Sequence, residues 1–380
     1  MKLCFFDFIT LVGGATKGTV YLLERLKKQG IDSEVINAYG VCSEYISDLE
    51  NSNIKYTILS NNISKTTIGF KNSRFRRFLE IFIQFPTYLK IFLRLFFSIF
   101  KIKPTHIMVN NRKSLFFIIP LKFLLNFKII LYYRVEGKKN QLPQPLVSAI
   151  NKFVDVVFCH SEIAISNMKK YGVNKDIQYL PNCVKIDNII TKKKKIDLTV
   201  FKIFLNAGRI VREKGYHTAI YALNELKNKK YNIILTLPGI VTDQVYFEEL
   251  LSFINDNELT DNIIFCGWVD KIQQEIYNSD CMILPSHTEG FPRSVIESMF
   301  LKVPVCATPV GGIPEAIIDE ETGFLFDVDD YLDLANKVEL LITNKDKRNF
   351  IVENAYNFAR QNFDESSNTQ IFINSVNLNG

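Results

Sequence analysis

The chain has 380 residues, 47% hydrophobic and 23% charged, a globular composition too long for one core and suited to two domains. Its net charge of +6 conceals a division: residues 1–195 hold 31 Lys and Arg against 13 Asp and Glu, a net of +18, while the remainder holds 15 against 27, a net of −12. Seven cysteines, an odd count with no C-x-x-C pair, exclude a disulfide-stapled scaffold and fit reduced, mostly buried thiols in the cytosol.

The first residues run straight into a strand with an acid inside it, which argues against a secretion signal, and Phe5–Ile9 leads to a loop containing Gly13 and Gly14. From Arg74 to Lys103 basic residues alternate with Phe, Leu and Ile. On a helical wheel Lys90, Arg94 and Lys101 fall within about 40° of one another and leave a broad apolar face. A single phenylalanine there reads as core, but the whole segment reads as a helix lying on an anionic membrane surface, kinked or divided at Pro86. Lys90 and Arg94 break the run too soon for a spanning helix, as Lys122 and Lys128 do in Leu115–Tyr133. A basic half attracts polyanions; this aromatic interleaving favours a membrane and a phosphorylated acceptor over nucleic acid. A strand containing His106 ends at Asn110, placing Asn110, Asn111 and Arg112 where an acceptor can be met. Ile129–Tyr133 is a further strand, followed by Arg134-Val135-Glu136-Gly137. Leu180-Pro181-Asn182 precedes a linker at Cys183–Leu198, which contains the lysine run Thr191–Lys195 and sets the domain boundary at 190/191.

In the second half, the strand Lys202–Asn206 feeds a turn carrying Arg209 and Lys214, and Tyr216–Lys227 has amphipathic helical spacing. That is where open α/β sheets bind ligands, and Arg and Lys together suit a phosphate. The apolar run Cys281–Leu284 ends at Pro285 and opens into Ser286–Glu297, where Glu289 and Glu297 bracket a loop-to-helix transition. Between them Gly290 allows close backbone approach, and Pro292 suits a first helical turn whose unpaired N–H groups face an anion. Carboxylates accept hydrogen bonds only, so two of them beside an anion site suit sugar hydroxyls next to phosphates, as in a nucleotide sugar. The D-x-D within Asp327-Val328-Asp329-Asp330 precedes a helical stretch and reads as a helix N-cap rather than a metal site. His160, His217 and His287 each stand alone, without a metal-ligand partner at suitable spacing; His287, two residues before Glu289, also offers itself as a sugar contact. Trp268 reads equally as core and as a residue packing against a base.

These motifs, G-R-x(4)-K-G, P-S-x-x-E-G-F-P-x-S-x-x-E, G-G-I-P-E and T-G-F-L, resemble family 4 glycosyltransferases in order and spacing, from about Ile203 to Phe326. The resemblance implies the α/β GT-B fold, two Rossmann-like doubly wound domains facing across a cleft. The domains are 1–190 for the acceptor and 191–362 for the nucleotide sugar, with a helix at about 363–380 returning to the first. It implies a retaining hexosyltransferase without a metal or other cofactor, with Arg209 and Lys214 on the donor diphosphate, Glu297 on the ribose and Glu289 on the transferred sugar. Gly290, Phe291, Pro292 and Val295 complete the donor site through backbone groups, and Gly13 and Gly14 approach the diphosphate. One departure stands out: where many relatives carry a histidine, Arg134 and Glu136 occur. These either take over contacts to donor or acceptor, with Asn110 and Arg112, or form an ion pair that shapes the loop. The expected setting is bacterial surface polysaccharide synthesis on a lipid-linked saccharide at the inner face of the cell membrane. The alternative is a catalytically silent member partnering another transferase. A nicotinamide dehydrogenase is excluded by the absence of G-x-G-x-x-G spacing.

Overall fold

The computed structural model describes residues 1–61, 74–186, 199–206 and 208–378, the side chains of 74–83 and 378 excepted; the lysine run of the expected linker lies outside these residues. The chain forms two compact units. The first comprises Met1–His160, Ala164–Leu180 and the residues from Glu365 onward, and the second Ser161–Ile163 and Pro181–Asp364. The division therefore falls at Leu180/Pro181, just ahead of the lysine run.

The first unit alternates strand and helix: β1 (Lys2–Asp7), α1 (Gly14–Lys28), β2 (Asp32–Tyr39), α2 (Ser43–Asn51), β3 (Lys55–Ser60), α3 (Arg74–Ile102) and β4 (His106–Val109). It continues through α4 (Arg112–Lys122), β5 (Lys128–Tyr133), α5 (Gln144–Phe153), β6 (Val156–Cys159), α6 (Glu162–Lys170) and β7 (Ile177–Tyr179). The seven strands pair in parallel in the order β3-β2-β1-β4-β5-β6-β7. Strand periodicity sorts the core into two layers: Leu3 and Phe5 of β1 enter one apolar cluster, Cys4 and Phe6 the other. Parallel strands buried on both faces read as continuous apolar runs, as β5 does; within Leu115–Tyr133 this strand, the one expected over Ile129–Tyr133, follows the helix α4 after a short turn. Pro86 divides nothing, since α3 runs through it without interruption.

The second unit contains β8 (Phe201–Leu205), β9 (Arg209–Ile210), a 3-10 turn (Arg212–Lys214), α7 (Tyr216–Asn228), β10 (Ile233–Pro238), β11 (Ile240–Val241), α8 (Gln244–Asp256) and β12 (Ile263–Gly267). There follow α9 (Ile272–Asn278), β13 (Cys281–Leu284), α10 (Arg293–Phe300), β14 (Val305–Ala307), α11 (Ile313–Ala316), β15 (Phe324–Leu325), α12 (Tyr331–Thr343) and α13 (Lys345–Asn362). Its main sheet is parallel in the order β12-β10-β8-β13-β14-β15, with β9 and β11 pairing separately. The final helix, α14 (Glu365–Leu378), belongs to the first unit. There Phe372 stacks on Phe158 at 5.0 Å, and Arg25 donates to the Glu365 carbonyl and to Asn368. Among the described residues no helix is long and apolar enough to cross a membrane.

Candidate functional site

In each sheet the strand order reverses once, between β1 and β4 in the first unit and between β8 and β13 in the second. The loops leaving such a pair diverge and open a crevice at the carboxyl ends of the strands. In the second unit those loops are Gly208–Gly215 and Pro285–Pro292, so the topology brings Arg209, Lys214, Glu289 and Glu297 to one region.

Lys214 Nζ donates to Glu289 Oε1 at 2.6 Å, with both side chains largely buried, while Arg209 is exposed. The contact requires the two loops to pack closely. Gly215, at φ 67°, lies so near β13's exit that a Cβ there would stand 1.9 Å from the Pro285 carbonyl oxygen. A second support lies beneath Glu289: Gly311, at φ 58°, would place a Cβ 2.1 Å from the Glu289 carbonyl oxygen. The Gly312 amide donates to the Gly290 carbonyl at 2.6 Å, and Asn182 Nδ2 donates to the Phe291 carbonyl at 2.8 Å. The G-G-I-P-E and L-P-N motifs thus hold the glutamate loop in shape.

Helix α10 starts at Arg293, with Pro292 as its N-cap residue rather than inside its first turn, and Glu297 sits one turn in, 7% exposed. Glu297 accepts from Gln273 Nε2 at 3.3 Å and faces Arg293 Nη2 at 3.7 Å. Gly290 is half-buried in the loop. Phe291 and Val295 bury their side chains in the core, and the Val295 amide is turned to the Pro292 carbonyl at 3.3 Å, so neither offers a ligand its side chain. Arg293 escaped the sequence reading. Its Nε and Nη1 atoms are buried without a hydrogen-bond partner among the described residues, a costly arrangement for a cation and one suited to receiving an anion. Its position as the first helical residue was the available signal. Trp268 is 46% exposed, which removes the core reading; its indole N–H donates to Asp270 at 2.9 Å and its ring stands beside Gly208.

The isolated reading of the histidines is corrected for two of them. His217 Nε2 and His287 Nε2 each lie 2.8 Å from Asp329 Oδ1, and the histidine rings are 5.8 Å apart. Residues 70 and 42 positions apart meet because the start of α7 and the loops after β13 and β15 converge, which no local spacing encodes. Burial lowers the pKa of His217 against the opposing pull of Asp329. Asp330 does cap α12, accepting from the Asp333 amide at 2.9 Å.

In the first unit Gly13 precedes α1 in extended backbone, and a Cβ there would meet nothing within 4 Å, so packing within the fold does not demand a glycine. Gly14 opens the helix, exposed. Arg134 donates to the Ala15 carbonyl and stacks over the Tyr132 ring at 3.9 Å, which brings it to the same helix end. Glu136 pairs with Lys138 at 2.7 Å. Asn110 donates to Thr19 Oγ1 at 3.0 Å and so faces α1, whereas Arg112 is exposed at the start of α4, whose cap is Asn111. No histidine follows β5, but the neighbouring β6 is followed by His160, 1% exposed, whose pKa is pushed down to about 4 by burial and then by the Arg134 charge. On α3, Ile91, Leu95 and Ile99 are buried, while Phe85, Leu89, Leu93, Phe97 and Phe100 form an exposed apolar stripe beside Lys90, Arg94 and Lys101.

Two parallel, doubly wound units of this kind define the GT-B fold of glycosyltransferases. The Anabaena protein HepE, solved with UDP and glucose, superimposes over 100% of both chains with a TM-score of 0.79 at 20% identity. Residues 168–358 match the model of the family described as glycosyl transferases group 1, and the chain belongs to that family. It is 31% identical over 148 residues to the capsular polysaccharide biosynthesis glycosyltransferase CapM of Staphylococcus aureus, covering 39% of this chain and 38% of that protein. It is 26% identical over 196 residues to N-acetyl-alpha-D-glucosaminyl L-malate synthase of Bacillus anthracis, covering half of each. The matched region thus spans half or less of these two curated relatives.

Proposed function

We propose that the chain is a retaining hexosyltransferase of family 4 that moves a sugar from a nucleoside diphosphate donor to a lipid-linked or lipopolysaccharide-type saccharide at the inner face of a bacterial cell membrane. The observation that carries this reading is the Lys214–Glu289 contact at 2.6 Å, joining a phosphate-suited cation to a sugar-suited carboxylate across the two loops of the switch point. Glu289 and Glu297 form the E-x7-E pair, the first accepting from hydroxyls of the transferred sugar and the second from the ribose. Arg209 grips the diphosphate, and Arg293, with its unpartnered N–H groups, adds a further donor beside Glu297.

In the reaction the bond from the anomeric carbon to the donor phosphate oxygen breaks, and a bond to the acceptor hydroxyl oxygen forms on the same face. The acceptor proton passes to the departing phosphate. Negative charge grows on the diphosphate, so fixed cations and the N-terminus of α10 lower the barrier, and no step requires a metal ion. The exposed stripe on α3 beside three basic residues supports docking on an anionic membrane, its other apolar face being spent on the core.

The test is a thermal-shift screen of nucleoside diphosphates and their sugars, followed by NMR of the product anomer. A donor at about 100 times its Kd should stabilise by about 2.7 kcal/mol. Arg209→Ala should impair donor turnover more than acceptor affinity. An inverted product anomer would remove the retaining mechanism, and absence of any nucleotide-dependent shift would remove the reading itself. Leu93→Asp with Phe97→Asp should release the protein from anionic vesicles; undiminished binding would rule out α3 as the docking face.

A further inference from the structure

We propose that His217, His287 and Asp329 form a binding site for a divalent transition-metal ion of the zinc class, separate from the donor-binding residues. Their ligand atoms, two imidazole Nε2 and one carboxylate oxygen, all lie within 4.8 Å of one another. A tetrahedral ion with bonds of about 2.0–2.1 Å places its ligand atoms roughly 3.4 Å apart, so small side-chain rotations admit it. Two imidazoles and one carboxylate leave a fourth position, and the half-exposed Asp329 opens that position to water.

The surroundings match what such a site needs. His217 Nδ1 lies 2.7 Å from the Tyr246 hydroxyl, which also accepts from the His217 amide at 3.0 Å, so the ring is oriented with Nε2 outward. The His287 amide donates to the Glu213 carbonyl at 2.9 Å, fixing that ligand from the backbone. Thr218 Oγ1 donates to Asp329 Oδ1 at 3.2 Å, and Asp329 itself sits in the left-handed region at φ 65°, aimed at both rings. The nearby cation, Arg212, is paired with Glu249 and stacked on Tyr246, which offsets its repulsion of an ion. An ion here ties the start of α7, the loop that carries Glu289 and the segment before α12 to one another.

Zinc titrated into chelator-treated full-length protein, followed by calorimetry, should show one ion per chain. His217→Ala, His287→Ala and Asp329→Asn should each weaken it at least tenfold, and Tyr246→Phe by about 10–100-fold through loss of ring orientation. Cobalt absorption reports the ligand type: nitrogen and oxygen ligation gives d–d bands without a thiolate charge-transfer band, which separates this site from the exposed Cys266. Equal zinc affinity in the triple variant, a thiolate band, or no binding to wild type would each overturn the proposal. Thermal stability of the metal-free variants, compared with metal-free wild type, verifies that they are folded. Because the readout is metal affinity, its failure leaves the sugar-transfer reading untouched, and failure of donor binding leaves the metal site untouched.

Discussion

The two switch points share one topology and differ in chemistry. At β8/β13 the loops present Arg209, Lys214, Glu289 and Glu297, with a partly buried cation and carboxylate joined at 2.6 Å. At β1/β4 the corresponding acid, Asp7, is consumed internally. It accepts from the Phe8 amide, Ser114 and Asn111, and burial raises its pKa. One crevice presents charged side chains, where the proposed donor would sit; the other spends its polar groups on bracing its own loops and leaves the space at Gly13 open. A doubly wound sheet therefore decides where a ligand can sit, and the residues at the strand ends decide what it is.

The largest effect that sharpens this contrast is expected from Glu289→Ala or Lys214→Ala. Each removes one member of the pair proposed to hold the donor and leaves the other unpaired, so turnover should fall about 10²–10³-fold while folding survives. Turnover within threefold of wild type, measured with saturating donor, would move the chemistry elsewhere. Next comes pH. The His160 pKa lies near 4 in the fold against its ordinary 6.5, so the unfolded chain takes up a proton that the buried ring refuses. Stability is intact above pH 6.5 and is lost as pH falls through the window down to about 4, by roughly 3 kcal/mol. Denaturant titrations of wild type and His160→Gln should diverge across that window; parallel curves would refute the burial argument.

Gly311→Ala should cost about 2 kcal/mol or more, because the added Cβ strikes the Glu289 carbonyl in a left-handed backbone. The loss of stability should be accompanied by weaker donor binding, and unchanged binding would uncouple Gly311 from the glutamate loop. The smallest effect belongs to the first unit: Asn110→Ala should cost about 1 kcal/mol through the lost bond to Thr19, with donor affinity unaltered. A change in donor affinity there would erase the distinction between the two crevices.

Much of the second unit was legible along the chain. The strand over Lys202–Asn206, the helix from Tyr216 and the strand Cys281–Leu284 appear within a residue or two of their expected bounds, because apolar periodicity and the Gly and Pro punctuation are local. The amphipathic segment was half legible. Its pattern revealed an apolar surface but could not divide it, and packing sends Ile91, Leu95 and Ile99 inward while Phe85, Leu89, Leu93, Phe97 and Phe100 stay exposed. Arg94, expected only on the polar side, also donates to the Leu59 carbonyl.

Residue types and spacing along the chain determined the family, the alternation of strand and helix, and the loops on which acids and cations stand. Each depends on neighbours within a few turns of backbone. Tertiary structure alone decided that Lys214 meets Glu289, that His160 supplies an imidazole next to Arg134 where β5 has none, and that His217, His287 and Asp329 converge. Such contacts join residues tens of positions apart through sheet order and loop packing, and sequence distance carries no record of either.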